Sequence, residues 1–414
     1  MKLSPSFLLP LIFFVGCASS SKVRKPLPSV ASVHSPEFRQ AMSSLISPGF
    51  VGGNKIRTLH NGAEIFPAML SAIRGARKSV NFETFVFEQG EIPKAFAEAL
   101  AERAQAGVQV RVILDAHGSS KAAVYHKQMR DAGVRLETYH PLFWFEPHRY
   151  NDRTHRKLLI VDGKLGFIGG VGIGDGWDGS ARSPKEWRDI HYRVEGPVVA
   201  QMQAAFGDNW IDTHHEVLQG RDQYPPLAPV GSVSAKVFLS APQNGRSAVE
   251  LMYHLAIASA QRTLLIENAY FLPDRVLVEA LCQAARRGVQ VHILMPGEHI
   301  DQKAVRRASR KRWPEMIKAG IHLYEYQPTM VHTKLLIADG LFTSVGSANF
   351  DPRSLRINDE ANLIVLDAGF AREQTIDFHR DLRRSEEVTL DKSGKIQPLE
   401  VPLGVVQTPL ESQL

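Results

Sequence analysis

The run His155-Arg156-Lys157-Leu158-Leu159-Ile160-Val161-Asp162-Gly163 returns in the second half of the chain as His332-Thr333-Lys334-Leu335-Leu336-Ile337-Ala338-Asp339-Gly340. Each copy is a His-x-Lys-x4-Asp pattern followed by a glycine-rich turn, Gly169-Gly170-Val171-Gly172 first and Gly346-Ser347-Ala348-Asn349 second. Alternate residues of an extended segment face the same way, so each motif sets an imidazole beside an ammonium group. Two imidazoles and two fixed cations suit phosphate chemistry: one histidine attacks, the other moves a proton, and the lysines neutralise oxygens. One His-x-Lys alone would carry little information. The same pattern at matching places in a repeat carries a great deal, and the apolar run after each motif seats it on a rigid strand.

The motifs belong to a longer duplication. Asn61-Gly62 and Asn244-Gly245 each open a helical pattern, running to 76 and to 260. Asn81-Phe82-Glu83 and Leu265-Ile266-Glu267 end short apolar runs on an acid. Pro93 and Pro273 stand where prolines start helices, and Gly107 and Gly288 where glycines end them. Gly107-Val108-Gln109-Val110 and Gly288-Val289-Gln290-Val291 then lead into apolar runs suited to buried strands. This alternation predicts an α/β fold with a largely parallel, helix-covered sheet in each half and a pseudo-two-fold axis between the halves. A length of 414 residues fits two domains. They are placed at 54–216 and 231–385, joined by a proline-rich linker at 217–230 and followed by a weakly ordered tail at 386–414.

Composition is globular, with 44% hydrophobic and 22% charged residues. The net charge of +6 points to an anionic partner, lipid headgroups or nucleic acid, without choosing between them. Two cysteines exclude a disulfide framework. Cys282 falls in a helical run and reads as a small buried apolar residue. Cys17 is different: Met1-Lys2 leads into an apolar run at 7–15 and then Gly16-Cys17-Ala18. That run is about half the length a membrane span needs, and the pattern resembles a bacterial lipobox. The expectation is a signal peptide over 1–17, lipidation of Cys17, and a Ser- and Pro-rich tether at 18–53. The protein would then be exported and lipid-anchored on the periplasmic side of a bacterial envelope membrane.

The two motifs are similar, position for position, to the signature motifs of the phospholipase D superfamily. The likeness covers nearly the whole chain after 53. The surroundings resemble bacterial cardiolipin synthases: Gly53-Asn54-Lys55-Ile56, Glu83-Thr84-Phe85, Trp187-Arg188-Asp189, and Asn358-Asp359-Glu360. The resemblance implies two α/β/α domains sharing one active site at their interface. It implies His155 as a nucleophile forming a phosphohistidine, and His332 as the acid and then the base. Lys157 and Lys334 become charge clamps, joined by the Asn349 amide and the Ser347 hydroxyl. Asp162 and Asp339 would orient the motifs. Glu360 matches the carboxylate that holds the histidine, and Asp189 is its counterpart in the first half.

The implied activity transfers a phosphatidyl group to the headgroup of phosphatidylglycerol and releases glycerol. No cofactor and no metal are expected, because fixed cations already supply the electrostatics. Two other outcomes can arise from such a site: a phospholipase D hydrolase with water as acceptor, and a secreted phosphodiesterase acting on nucleic acid. Absent interleaving of aromatic and basic residues, and with an anchor at Cys17, no nucleic-acid partner is expected; a monomer at a membrane surface is.

One departure stands out. The position matching Asn349 is Gly172, so an amide donor is missing on one side; either the Gly172 backbone N–H or a water replaces it, or the chemistry is altered. The basic stretch 303–313 is expected to offer Arg306 and Arg310 to anionic headgroups. The apolar run Leu142-Phe143-Trp144-Phe145 suits membrane insertion, an acyl groove or core packing equally.

Overall fold

Strands built from the repeated apolar runs take the same spatial order in both halves. The computed structural model describes residues 23–141, 151–242, 245 and 247–397. The first half contributes β1 (Val51–His60), β2 (Ser79–Thr84), β3 (Gln109–Asp115), β4 (Arg135–Tyr139), β5 (Leu158–Val161), β6 (Leu165–Gly169) and β7 (Ile190–Glu195). The second contributes β8 (Val233–Ser240), β9 (Thr263–Asn268), β10 (Gln290–Pro296), β11 (His322–Tyr326), β12 (Lys334–Ala338), β13 (Phe342–Gly346), β14 (Glu360–Leu366) and β15 (Ser385–Glu387). One sheet runs through both, in the order β15-β11-β10-β9-β12-β13-β14-β8-β1-β7-β6-β5-β2-β3-β4. The pseudo-two-fold axis falls at the short antiparallel pairing of β1 with β8.

The sheet is mixed rather than largely parallel. Only β2, β3 and β4, and likewise β9, β10 and β11, run parallel. The motif strands β5 and β12 and the strands beyond them pair antiparallel. Fully buried strands look alike in either direction, so their apolar runs could not report this difference.

Helices cover the sheet on both faces. They are α1 (Pro36–Leu45), α2 (Asn61–Arg74), α3 (Glu91–Gln105), α4 (Ala123–Asp131), α5 (Val199–His214), α6 (Ala248–Ser259), α7 (Arg275–Arg286), α8 (Lys303–Arg310), α9 (Trp313–Lys318), α10 (Pro352–Arg356) and α11 (Ala368–Leu382). In α7 the helical spacing of Leu277, Leu281, Cys282 and Ala284 buries one face, and the Asp274 side chain caps the start by accepting from Leu277 N. Phe66, Phe82 and Phe96 anchor a core in the first half, and Met252, Leu281 and Trp313 one in the second. A third core lies between the halves, where Phe206 and Trp210 of α5 and Phe378 of α11 pack with Ile160, Val237 and Leu335. Burial of apolar area in this third core fastens the two halves together.

The described part of the expected tether is folded. Phe38, Met42 and Ile46 of α1 and its C-cap pack into the second half's core. The Lys236 ammonium donates to the carbonyls of Met42, at 2.7 Å, and Ile46. The tail is likewise ordered as far as it is described: β15 pairs with β11, and Leu390 bridges Ile396. Cys17 and the 142–145 run lie outside the described residues. Among the described residues no helix is long and apolar enough to cross a membrane.

Each motif aspartate ends its strand in a tight turn. Asp162 and Gly163 take φ of 53° and 63°, and Asp339 and Gly340 take 51° and 65°. Aspartate and glycine tolerate this left-handed region best, which is what turns between twisted antiparallel strands require. The carboxylates face away from the cleft. Asp162 accepts from the backbone N–H groups of Arg77, Lys78 and Ser79, and Asp339 from those of Gln261, Arg262 and Thr263. Each thereby ties the end of a motif strand to the start of β2 or β9, the neighbouring strand. Both are architectural. Asp339→Ala should lower unfolding free energy by about 2 kcal/mol, the scale of lost hydrogen bonds to a charged acceptor. Denaturant melts would read this, with kcat within about threefold of the unsubstituted enzyme; unchanged stability with a lost kcat would reverse the assignment.

Candidate active site

The segment entering each motif is stitched to the opposite half. His155 N donates to the Asp359 carbonyl at 2.8 Å, and Asp359 N to the Arg153 carbonyl at 2.9 Å. The same exchange recurs where His332 N meets the Arg188 carbonyl at 2.7 Å and Arg188 N meets the Met330 carbonyl at 2.8 Å. These paired bridges set the next residue along, Glu360 or Asp189, behind the imidazole of the other half. His155 Nδ1 lies 3.1 Å from both Glu360 carboxylate oxygens, and His332 Nδ1 lies 2.8 Å from Asp189 Oδ2. The carboxylates therefore cross over: each half's acid serves the other half's histidine. The spacing of 28 residues between His332 and Glu360 would have paired them within one half.

His155 and His332 line one cavity of about 710 Å³, together with Lys157 and Asn349. The shared cleft expected from duplication is present. All four motif groups are buried, His155 at 7% exposure, His332 at 5%, Lys157 at 3% and Lys334 at 4%. Burial first, aided by nearby lysine charge and opposed by Glu360, pushes the His155 imidazole down to about 4. His332 is pushed down by burial and then by Lys334. Burial also lowers the ammonium groups, Lys157 to about 7 and Lys334 to about 8. Asp189 and Glu360 are fully buried, which alone would raise them, yet the paired histidines and nearby lysines hold both below the ordinary range. A carboxylate can only accept, so each Nδ1 carries the hydrogen and each Nε2 keeps its lone pair. Lys157 and Lys334 fold back to donate to their own motif carbonyls at 2.7 and 2.6 Å. The Asn349 side-chain oxygen is buried without a partner among the described residues, leaving its amide open to the cavity.

Several expected substrate contacts have other partners. The Ser347 hydroxyl donates to Glu360 Oε2 at 2.5 Å and accepts from Ala361 N, so it positions the carboxylate instead of touching phosphate. Arg306 donates to both oxygens of buried Glu325 at 2.6 and 3.0 Å, and Arg310 to one of them at 2.9 Å. Those two arginines pin α8 to β11; Lys303, Arg307 and Lys311 form its exposed face. Gly172 is walled off: a Cβ there would stand 2.8 Å from Val86 and 2.9 Å from the Trp177 ring. The Trp177 indole and Val86 fill the space that an asparagine side chain at this position would need.

Trp177 was missed by sequence reasoning. Its Nε1–H donates to Asp189 Oδ2 at 3.0 Å, and its ring meets His332 edge-on at 5.3 Å, with Trp187 at 5.4 Å on another side. The available signal was the paired change to Gly170 and Gly172 opposite Ser347 and Asn349. Asp189 is one methylene shorter than Glu360, so its carboxylate sits closer to the strand. A Cβ at Gly170 would be 2.4 Å from Asp189 Oδ1. Serine cannot fit there, and the hydrogen bond it would have supplied comes from the tryptophan. Phe85 packs on His155 at 5.2 Å as the aromatic neighbour in the first half. Among the described residues no group of three His, Cys, Asp or Glu side chains is arranged to hold a metal ion.

A duplicated mixed sheet with two His-x-Lys motifs meeting across a buried cleft defines a phospholipase D-type fold. The family model described as "Cardiolipin synthase, PLD-like domain" matches residues 69–208 and 254–382. Cardiolipin synthase A of Pseudomonas putida is 34% identical over 359 residues, 85% of this chain and 73% of that protein. The probable cardiolipin synthase YwiE of Bacillus subtilis is 35% identical over 339 residues, 81% of this chain and 67% of its own. The crystal structure of a phosphatidylserine synthase from Haemophilus influenzae covers 85% of this chain, with 91% of its own chain matched, at a TM-score of 0.66 and 15% identity, a likeness of fold. The chain belongs to the cardiolipin synthase family of the phospholipase D superfamily.

Trp177 acts on His332 through Asp189, so Trp177→Phe should lower kcat/KM about tenfold, as loss of a hydrogen bond to a charged acceptor would. Removing a donor from the ionised carboxylate raises its pKa, so the acid limb of the pH–rate profile should move to higher pH. An unshifted acid limb would reduce Trp177 to packing.

Proposed function

We propose that the protein is a phosphatidyltransferase that condenses two phosphatidylglycerol molecules into cardiolipin and glycerol. The single observation that carries this reading is the pair of neutral, carboxylate-backed imidazoles lining one lysine-flanked cavity in a cardiolipin synthase family member. The donor phosphodiester enters as an anion and draws the lysine ammonium groups off their own carbonyls. Its charge raises the affinity of His332 for a proton, which arrives from solvent. His155 Nε2 attacks phosphorus and forms the N–P bond. The P–O bond to the glycerol headgroup breaks, and His332 Nε2–H gives its proton to the departing oxygen. A hydroxyl of the second phosphatidylglycerol then attacks, returning a proton to His332 as the N–P bond breaks. Lys157, Lys334 and the Asn349 amide hold the equatorial oxygens through both steps.

The protein works as a monomer at a membrane surface, without nucleic acid, and its lipid anchor at Cys17 fixes it on the exported side of the envelope. The segment Met1-Lys2, the apolar run at 7–15 and Gly16-Cys17 support the anchor. Water in place of the second lipid would make the same site a hydrolase.

Purified protein given phosphatidylglycerol vesicles without divalent metal should yield cardiolipin and glycerol. His155→Ala and His332→Ala should each reduce that yield at least about 10³-fold, the scale of losing a nucleophile or a general acid. Phosphatidic acid as sole product would reassign the enzyme as a hydrolase, and full turnover in either variant would remove the histidine roles. For the anchor, mass spectrometry of the mature protein should find diacylglyceryl-modified Cys17 at its N-terminus; a bare thiol there would reject it.

A further inference from the structure

One wall of the cleft carries charge that the reacting phosphorus does not account for. Arg153, two residues before His155, and Arg353, four after Asn349, both line the cavity that holds the two histidines. The Nε of Arg153 is buried without a hydrogen-bond partner among the described residues. Arg353 is anchored from behind: its guanidinium donates to Asn151 Oδ1 at 3.1 Å, to the Asn151 carbonyl at 2.8 Å and to Asn358 Oδ1 at 3.3 Å. His117 lines the same wall, and its imidazole is pushed down by burial and then by both arginines. Burial and then Arg153 lower Arg353 in turn, while Asp351, Asp115 and Asp152 act in the opposite sense. Two of those acids are already engaged. Asp115 accepts from the N–H groups of His117, Gly118 and Thr154, and Asp351 caps Ser354 N. Beside these acids the two guanidinium groups still repel one another, a cost that an anion placed between them relieves.

The duplication indicates which anion. Lys157 and Lys334 occur once in each half, as groups serving a phosphorus on the axis should. The repeat-equivalents of Arg153 and Arg353 are Met330 and Gly176, so this cationic pair exists on one side only. The opposite wall presents Trp177, Trp187 and Tyr270, whose hydroxyl donates to Asp301 at 2.7 Å. An off-axis pair of arginines suits an anion that does not react. Arg153 and Lys157 flank the same phenyl ring, at 6.0 and 5.6 Å from the centre of Phe85. They can be no farther apart than those two distances laid end to end, a span that a three-carbon bridge between two phosphates can cover.

We propose that Arg153 and Arg353 form a second phosphate subsite that binds the phosphodiester of the acceptor phospholipid and aims its headgroup hydroxyl at the reacting phosphorus. The inference rests on the transferase reading, since water or free glycerol as acceptor has no second phosphate to hold. Arginine presents a planar fork matched to phosphate oxygens, which lysine does not.

Two reactions of the unsubstituted, Arg153→Gln, Arg353→Gln and Arg153→Lys enzymes separate the roles. Cardiolipin formation from phosphatidylglycerol in mixed micelles needs the subsite. Incorporation of radiolabelled glycerol into phosphatidylglycerol uses the same donor site but a neutral acceptor. The ratio of the first rate to the second should fall at least tenfold in both glutamine variants and recover in part with Arg153→Lys. An unchanged ratio, whether both rates hold or both collapse together, would overturn the subsite. The glycerol reaction also reports that the variants are folded. If the unsubstituted enzyme exchanges glycerol yet makes no cardiolipin, the reading of a second phosphatidylglycerol as acceptor itself fails and takes the subsite with it.

Discussion

Two histidine–carboxylate contacts that cross from one half to the other are the constraint on which the rest of the structure depends. His155 leans on Glu360 and His332 on Asp189, so neither imidazole has its orienting acid until the halves are docked. All four groups are buried. Removing carboxylates and lysines from water is unfavourable unless they compensate one another. That compensation is visible in the acids and the lysines alike: burial pushes the lysines down, and against burial the paired histidines and then the lysines hold the acids down. With both imidazoles neutral, the two ammonium groups offset the two carboxylates.

Such an array cannot also be the source of stability. Buried ion pairs orient more reliably than they stabilise. The apolar layer of α5 and α11 between the halves supplies the attraction, and polar links fix the register. Arg156 donates to Asp359 at 3.1 Å and Arg188 to Asp381 at 2.8 Å, each spanning the interface beside a backbone bridge. The residue next to each cross-half link is the one that meets an imidazole. Positioning is therefore inherited from strand-like hydrogen bonding, which is more exact than side-chain packing alone.

Much of this was legible in the chain because duplication prints each feature twice. The motif pairs, the strand runs and the Asp-Gly turns follow from local spacing. What was not legible involves partners distant in sequence. Spacing alone could not tell which half's acid meets which histidine, because that depends on how the halves dock. A row of arginines on α8 looks free until Glu325 of β11 is seen beneath it. Ser347 has the right chemistry for phosphate, and only geometry reveals that its hydroxyl is spent on Glu360. Residues 23–50 have a linker's composition, yet a few apolar positions on α1 suffice to seat it on the second half's core.

The small departures from two-fold symmetry carry the chemistry that symmetry cannot. A perfectly duplicated site would offer two equivalent histidines and no preferred direction for the phosphatidyl group. Here one imidazole is backed by a glutamate that also receives a serine hydroxyl, and the other by a shorter aspartate that receives an indole N–H. Shortening the acid forces glycine at 170; glycine at 172 opens room for Trp177, and the tryptophan in turn closes that side of the cleft to an amide donor. Each change makes sense only with the others. The cleft is left with an aromatic wall beside His332 and a cationic wall beside His155, and two lipids that differ only in their role can be told apart by which wall they meet.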